Sequence, residues 1–480
     1  MWNPKAKLLT IIFTVFLLNP LFSMAAEKQK TVAIITVDFQ SNTMLRFGNS
    51  FSLRAKEYGW NVIKAEIFGD YSKADQYFEE FIERDVDAIF NDMLDPNLIE
   101  SALLKAKKAG IPVINGDAGF HKDVVTNITS NNYFLSARVT KYLFDKMLTD
   151  NKKELLGITW LDHHGIRKRT DIMEAILAEY PEIELVKMHH TSIPGQVQDS
   201  RNFVSDYLSN NPDFDGSVWA AWDEPAAGAT QAILKARKGN SVYTTGIDGN
   251  KWTFDMIRQR PPFLATESQN FEMMGRQVAD CMNDIFNKDT ETEKVYCGDV
   301  VPYNLYVPTI LVTQDNLPPV GKFPWSESGE FSQQYSDSSS WPTLDGRWGL
   351  EVNDGLTIND YTLSALITPL LFDKMTKNSK TELLVITADD NVASRRRARI
   401  MDAVLKTYDN LDVKGRTQIA LSDQSVQEAQ AAVEEFLKQN PDFKGAIWSS
   451  VDVLNQGATQ AIANLEKEKN VYTLNDVRGF

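Results

Sequence analysis

Short apolar runs typical of buried strands alternate with longer amphipathic runs typical of helices along most of this sequence. The first four strands are predicted at residues 31–37, 61–67, 87–90 and 111–115. Adjacent parallel strands need a crossover connection, which is usually a helix. Four strand–helix units in series therefore predict a parallel sheet with helices on both faces.

A second series of strand–helix units begins after residue 128. Its strands are predicted at residues 155–160, 183–189, 217–221, 241–245 and 263–266. A single sheet holding all of these strands would be very wide, and a chain of 480 residues has room for more than one domain. We therefore predict an α/β fold with two doubly wound parallel-sheet lobes.

Part of the second series occurs twice. The run at residues 228–233 returns unchanged at 457–462, and residues 361–387 match 133–159. Matches in the same order indicate an internal repeat. We predict that residues 350–480 are a partial repeat of the second lobe, which follows a Pro- and Ser-rich linker at 316–349. Nothing resembling the first lobe precedes the repeat, so we expect it to have no complete cleft. The repeat can be interpreted in two ways, as a remnant of gene duplication or as a second working site.

The stretch that follows the predicted strand at 217–221 carries a strong polar signal. Trp222 and Asp223 come directly after the strand, and Pro225 marks the first turn of a helix. Asp223 would therefore stand at the carboxyl end of a strand, where open α/β sheets bind ligands. An aspartate at this position can also cap its own helix.

The N-terminus is typical of an exported protein. Lys5 and Lys7 precede an apolar run at residues 8–18, and Ala25 and Ala26 provide a cleavage site. We predict a signal peptide over residues 1–26 rather than a membrane anchor, because the run is short for a bilayer span. The mature protein is expected in the periplasm. Cys281 and Cys297 would meet oxidising conditions there, and the sequence leaves their pairing open.

Several motifs occur in a fixed order along the chain. They are Gly110-Ile111-Pro112-Val113, Ser130-Asn131-Asn132, Arg169 at the start of a helix, Asp223 with Gly228-Ala229, Gly246-Ile247-Asp248-Gly249, and Gln269. Their order resembles that of the type I periplasmic sugar-binding proteins of ABC importers, the ribose- and galactose-binding type. The resemblance covers residues 31–313. It implies two lobes, joined by a hinge with three crossings, that close over one sugar. The first lobe would comprise residues 27–128 and 253–286, and the second 129–252 and 287–315.

The resemblance also implies a set of ligand contacts. By position these are the loop at residues 38–43, Asn91 or Asp92, Asp117, Arg169, Asp223, Asp248 and Gln269. Paired planar polar groups can satisfy sugar hydroxyls in a dry pocket. Phe39, Trp160 and Trp222 lie at predicted strand ends and are candidates to cover the apolar ring faces, although tryptophans in such places also serve as core. Arg167 lies close by, and the sequence leaves open which arginine reaches the ligand.

The resemblance implies a soluble binding protein that passes a small sugar or polyol to an ABC importer. The alternative is a sensory partner that presents a ligand, such as an autoinducer-2-type signal, to a membrane kinase or chemoreceptor. The net charge of −15 argues against nucleic acid as a partner. The sequence contains none of the common hydrolase or phosphate-loop motifs, so we predict no enzyme activity and no cofactor. Neither pair of adjacent histidines, 163–164 or 189–190, has the spacing of a metal site.

Overall fold

A computed structural model of the chain describes residues 29–259, 261–287, 303–332 and 359–477. The predicted signal peptide lies outside these residues, and so does Cys297. Cys281, the other cysteine of the chain, is disulfide-bonded.

The first lobe is built on a six-stranded parallel sheet with the order β11-β5-β4-β3-β1-β2. Its strands are β1 (Thr31–Thr36), β2 (Asn61–Glu66), β3 (Ala88–Asp92), β4 (Val113–Gly116), β5 (Asn127–Thr129) and β11 (Asn304–Tyr306). Its helices are α1 (Asn42–Glu57), α2 (Ala74–Glu83), α3 (Glu100–Lys108) and α9 (Phe271–Phe286). The interior strand β1, which lies between β3 and β2, is buried from Val32 onward, as expected for a sheet covered on both faces.

The second lobe has a six-stranded sheet with the order β12-β10-β9-β8-β6-β7, in which only β12 is antiparallel to its neighbour. Its strands are β6 (Glu154–Thr159), β7 (Glu184–His190), β8 (Ser217–Ala220), β9 (Tyr243–Asp248), β10 (Phe263–Gln269) and β12 (Thr309–Thr313). Its helices are α4 (Asn132–Thr149), α5 (His164–Leu177), α6 (Gln196–Asn210), α7 (Asp223–Lys235) and α8 (Lys251–Arg258).

The chain crosses between the two sheets three times, but two of the predicted boundaries were wrong. The crossings lie between β5 and α4, between β10 and α9, and between β11 and β12. Residues 253–269 were predicted in the first lobe, yet β10 pairs with β9 in the second sheet. Residues 304–306 were predicted in the second lobe, yet β11 pairs with β5 in the first sheet.

The first part of the predicted linker is packed on the lobes. Trp325 is 5% exposed and belongs to the apolar core of the second lobe. Its Nε1 donates a hydrogen bond of 2.9 Å to Glu272 on α9. Phe323 stacks on the same indole ring with a centroid separation of 5.5 Å. These aromatic side chains explain why residues up to 332 are held against the lobes although they lack helix or strand periodicity.

Residues 359–477, which we call the third unit, form a four-stranded parallel sheet with the order β14-β13-β15-β16. This order is the same as β7-β6-β8-β9 in the second lobe. Its strands are β13 (Glu382–Thr387), β14 (Asp412–Gln418), β15 (Gly445–Ser449) and β16 (Tyr472–Thr473). Its helices are α10 (Asp360–Lys377), α11 (Val392–Leu405), α12 (Ser425–Gln439) and α13 (Asp452–Asn464).

Buried contacts of the second lobe recur in the third unit. Trp219 Nε1 donates to Thr140 Oγ1 at 2.9 Å, and Trp448 Nε1 donates to Thr368 Oγ1 at 3.0 Å. Both tryptophans are almost completely buried. The third unit and the second lobe share the same strand order and the same tryptophan–threonine hydrogen bond. Both features are compatible with a partial repeat of the second lobe.

The glycine of the repeated run has the same packing role in both copies. A Cβ atom on Gly228 of α7 would lie 2.2 Å from the carbonyl oxygen of Val197 on α6. A Cβ atom on Gly457 of α13 would lie 2.4 Å from the carbonyl oxygen of Val426 on α12. Only glycine therefore allows these two helices to approach so closely.

The third unit contacts both lobes. Its helices α10 and α11 pack on their counterparts α4 and α5 of the second lobe. Its Asp373 accepts hydrogen bonds from Asn304 Nδ2 and Tyr306 Oη of the first lobe, at 3.0 and 2.9 Å. Tyr408 Oη of the third unit donates to the same carboxylate at 2.8 Å. Burial raises the pKa of Asp373.

We expect Asp373→Ala to lower the melting temperature of the mature chain, because three donors lose their shared acceptor. A buried donor left without a partner costs about 1–3 kcal/mol. Asp145→Ala is the matched control, since Asp145 occupies the corresponding position of α4 but has a side chain that is 50% exposed. Asp145 accepts from one largely buried donor, Tyr180 Oη at 2.9 Å, and forms an ion pair with Lys141. Its loss should therefore cost less than the loss of an acceptor shared by three donors. Differential scanning calorimetry of both variants tests this, and equal melting temperatures would show that Asp373 does not hold the third unit in place.

Candidate ligand-binding cleft

A small cavity of about 30 Å³, lined mostly by buried side chains, lies between the two lobes. Its walls follow the carboxyl ends of strands from both sheets, as expected for ligand sites of open α/β sheets. The first lobe contributes Ser41, Thr43, Met44, Met93 and Asp117. The second lobe contributes Trp160, His163, Ile166, Arg169, Ile193, Gln196, Trp222, Glu224 and Asp248.

The guanidinium of Arg169 connects an aspartate of each lobe. Its Nη2 lies 3.5 Å from Asp117 Oδ2, and its Nη1 lies 3.5 Å from Asp248 Oδ1. Asn132 Oδ1 accepts from its Nε at 2.6 Å, and the Ala221 carbonyl accepts from Nη1 at 2.9 Å. These contacts hold a side chain that is only 2% exposed in one orientation toward the cavity.

The structure distinguishes the two candidate arginines. Arg167 Nη2 donates to Asp95 Oδ2 at 2.5 Å, and its Nη1 donates to the Leu161 carbonyl. Arg167 is not among the lining residues, whereas Arg169 is. The ion pair of Arg167 with Asp95 instead connects the two lobes beside the cavity.

Asp248 is at the end of β9 and contacts the first lobe. Thr43 Oγ1 donates to its Oδ2 at 2.9 Å, and Gln269 Nε2 donates to its Oδ1 at 2.9 Å. Burial raises the pKa of Asp248 to about 6, although Arg169 opposes this shift. Gln269 does not line the cavity, and it positions the Asp248 carboxylate.

Glu224 is a lining residue that the sequence analysis did not identify. It is 4% exposed, and the backbone N–H of Asn42 in the first lobe donates to its Oε1 at 2.9 Å. Its Oε2 accepts from Gln196 Nε2. Burial raises the pKa of Glu224. No common motif marks a glutamate at this position. The signal in the sequence that could have identified it is its place directly after Trp222 and Asp223.

His163 is a second lining residue that was not predicted as a ligand contact. Its Nδ1 accepts from the backbone N–H of Ile166 at 3.2 Å and so caps α5. The proton of the neutral ring is therefore on Nε2, which has no hydrogen-bond partner among the described residues. Burial lowers the pKa of His163 to about 4, so the ring is neutral at physiological pH.

Apolar side chains complete the walls. Trp160 and Trp222 are 8% and 5% exposed, and both follow strand ends as predicted. Met44, Met93, Ile166 and Ile193 surround them in the cavity.

Asp223 does not face the cavity, contrary to the prediction. Its carboxylate accepts from the Asn250 backbone N–H at 3.0 Å and from the hydroxyls of Thr253 and Thr266 at 2.7 Å each. These partners lie on α8, on β10 and in the turn after β9, so Asp223 ties these elements to the start of α7. Burial raises the pKa of Asp223 to about 7.

Phe39 and Asp92 also lie outside the cavity walls. Asp92 is fully buried at the end of β3, and Met93, the next residue, faces the cavity instead. Burial raises the pKa of Asp92 well above its ordinary value. The Phe39 ring lies near Lys64 and Gly48 of the first lobe. The predicted positions that line the cavity are thus Asp117, Trp160, Arg169, Trp222 and Asp248, together with Ser41 and Thr43 of the predicted loop at 38–43.

Hydrogen bonds across the cleft hold the lobes together in this structure. Besides Thr43 and Asn42, Arg46 of α1 donates to the carbonyls of Asp248 and Gly249, at 3.2 and 3.3 Å. Arg46 also pairs with Glu272 at 3.0 Å. The lobes are therefore closed over the cavity.

Among the described residues, no cluster of three His, Cys, Asp or Glu side chains is arranged to hold a metal ion. Within the same residues, no helix combines the length and the apolar character that a membrane crossing requires.

Curated relatives resemble the two lobes. The D-apiose import binding protein of Actinobacillus succinogenes is 28% identical over 242 residues, which is 50% of this chain and 76% of that protein. The ribose import binding protein RbsB of Bacillus subtilis is 25% identical over 263 residues, 54% of this chain and 83% of that protein. Both are binding proteins of importers and not enzymes, in agreement with the prediction.

The fold and family comparisons agree with each other. An ABC sugar transporter subunit from Rhodobacter sphaeroides superposes with a TM-score of 0.53 at 22% identity, covering 60% of this chain and 99% of that one. This match confirms the predicted α/β fold class. The model of the periplasmic binding protein domain matches residues 32–290, more than half of the sequence. The chain therefore belongs to the periplasmic binding protein domain family.

Proposed function

We propose that this protein is a periplasmic solute-binding protein that captures a small sugar or polyol between its lobes and delivers it to an ABC importer. The main observation behind this proposal is the cavity between the lobes, where Arg169 contacts Asp117 of the first lobe and Asp248 of the second. The import functions of the D-apiose and ribose relatives support it. They favour import over the sensory alternative.

The chemistry of the walls suits a polyhydroxylated ligand. Sugar hydroxyls both donate and accept, and the cavity offers carboxylate acceptors together with the Arg169 guanidinium and the His163 Nε2–H as donors. Trp160 and Trp222 provide flat apolar surfaces for the C–H faces of a ring. A ligand that leaves these buried polar groups unmatched would bind poorly.

The test of the proposed function is a screen of the mature chain against pentoses, hexoses, polyols and amino derivatives by thermal shift. A true ligand at 100 times its dissociation constant should add about 2.7 kcal/mol of stability. Calorimetry should then give one ligand per chain, because the third unit corresponds to the second lobe alone and a cleft needs a wall from each lobe. Absence of any stabilising compound in these classes would contradict the proposal, and two equivalent sites would contradict the role given to the third unit.

We expect Asp248→Asn and Asp223→Ala to separate binding from stability. Asp248→Asn removes a charge from the cavity wall and should weaken binding about tenfold or more, since hydrogen bonds to charged groups contribute about 1.5–3 kcal/mol. Asp223→Ala leaves three buried donors without their acceptor, so it should mainly lower the melting temperature. Calorimetric titration and thermal unfolding of both variants measure the two effects. If Asp223→Ala weakened binding as much as Asp248→Asn and left the melting temperature unchanged, the assignment would be wrong.

Ligand entry should require the lobes to separate. The bonds of Thr43 to Asp248 and of Asn42 to Glu224 close the cavity, and they must break to admit a ligand. Closure around the three crossings then buries the ligand from both sides. Small-angle scattering should show a smaller radius of gyration at saturating ligand than without it. An identical radius in both conditions would argue against a hinge motion.

A further inference from the structure

We propose that the ligand of this cleft carries a positive charge and is a small sugar or polyol with a protonated amine. This inference rests on the proposed function and specifies its substrate class. It follows from the charges that line the cavity and the opening beside it.

Carboxylates outnumber cations in the cavity wall. The lining residues include Asp117, Glu224 and Asp248, whereas Arg169 is the one Lys or Arg among the described residues that line it. Arg169 contacts Asp117 and Asp248. His163 adds no positive charge, because its buried ring is neutral. The lining therefore contains more carboxylates than cationic side chains.

Glu224 is the carboxylate that the cavity leaves without a cation. Its hydrogen-bond donors are all neutral, and it forms no ion pair within the described residues. They are the Asn42 backbone N–H and the side chains of Gln196, Ser41 and Trp222. Burial raises the pKa of the nearby Asp248, and the Glu224 carboxylate adds to that shift. A buried charge is costly unless it is paired. A ligand ammonium group brings a charge and three donors, whereas a hydroxyl brings one donor and no charge.

The opening beside the cavity has the same sign of charge. It has a volume of about 460 Å³, and Glu224 and Gln196 lie on the wall that it shares with the cavity. Asp38 also lines it, and no Lys or Arg occurs among its described lining residues. An acidic opening of this kind attracts cations and raises their rate of association.

The test compares matched pairs of compounds on the full mature chain by calorimetric titration. The pairs are D-glucosamine with D-glucose, D-galactosamine with D-galactose, and an inosamine with its parent inositol. The inference expects at least one amino compound to bind at least tenfold more tightly than its neutral parent. A neutral parent that binds as tightly as its amino partner would overturn the inference, but it would still support the proposed function in sugar import. If no amino compound binds, the inference is also overturned. If no member of any pair binds and the wider sugar screen is also negative, both the inference and the proposed function are contradicted.

Two further measurements identify the group responsible. Glu224→Gln keeps the size of the side chain and an acceptor for Asn42, and it should bring the affinity for the amino compound close to that for the parent. Glu182→Gln removes the same charge from an exposed position and should leave the preference unchanged. In the wild-type chain, raising the salt concentration from about 50 to about 500 mM should slow association of the amino compound and not of its parent. A salt-independent rate would contradict the inference even if the Glu224 variant did not fold.

Discussion

The cleft depends on the interaction of the buried Arg169 guanidinium with carboxylates of both lobes. Taking a cation out of water is expensive unless carboxylates and hydrogen-bond acceptors replace its hydration. The second lobe provides Asp248 and the Ala221 carbonyl, but Asp117 belongs to the first lobe. The complete arrangement therefore exists only when the lobes are together. Separating the lobes would remove Asp117 from Arg169 and expose these charged groups to water.

The third unit shows what happens to the same arginine without a first lobe. Arg397 occupies the position of Arg169 and donates to the Ser450 carbonyl at 3.1 Å, as Arg169 does to Ala221. Its carboxylate, however, comes from Asp360 of its own unit, at the position that Asn132 holds in the second lobe. Its side chain is 22% exposed, in contrast to the buried Arg169. The positions of Trp160 and Trp222 are taken by Ala388 and Val451, so the aromatic walls are missing as well. The arginine is satisfied locally, and half of a cleft remains as a structural unit.

The sequence predicted the strand–helix alternation and the edge of each sheet that forms the site, because both follow from local patterns. It did not predict whether a given side chain at the strand ends faces the cavity or the interior of its own lobe. Trp222, Asp223 and Glu224 are consecutive, yet Asp223 points to Thr253 and Thr266 while its two neighbours line the cavity. That choice depends on partners some 30 to 43 residues away. Two of the three lobe boundaries were misplaced for the same reason, since the pairing of β10 with β9 and of β11 with β5 involves distant parts of the chain.

The position of the third unit is compatible with a moving hinge. Its bonds to the first lobe involve Asn304 and Tyr306 of β11, the strand directly before the crossing to β12. Points near a rotation axis move little when two bodies rotate about it, whereas distant points move most. The cleft contacts of Asn42 and Thr43 lie away from this crossing and must separate when the lobes open. The third unit therefore contacts the first lobe beside one of the three crossings and not at the cleft.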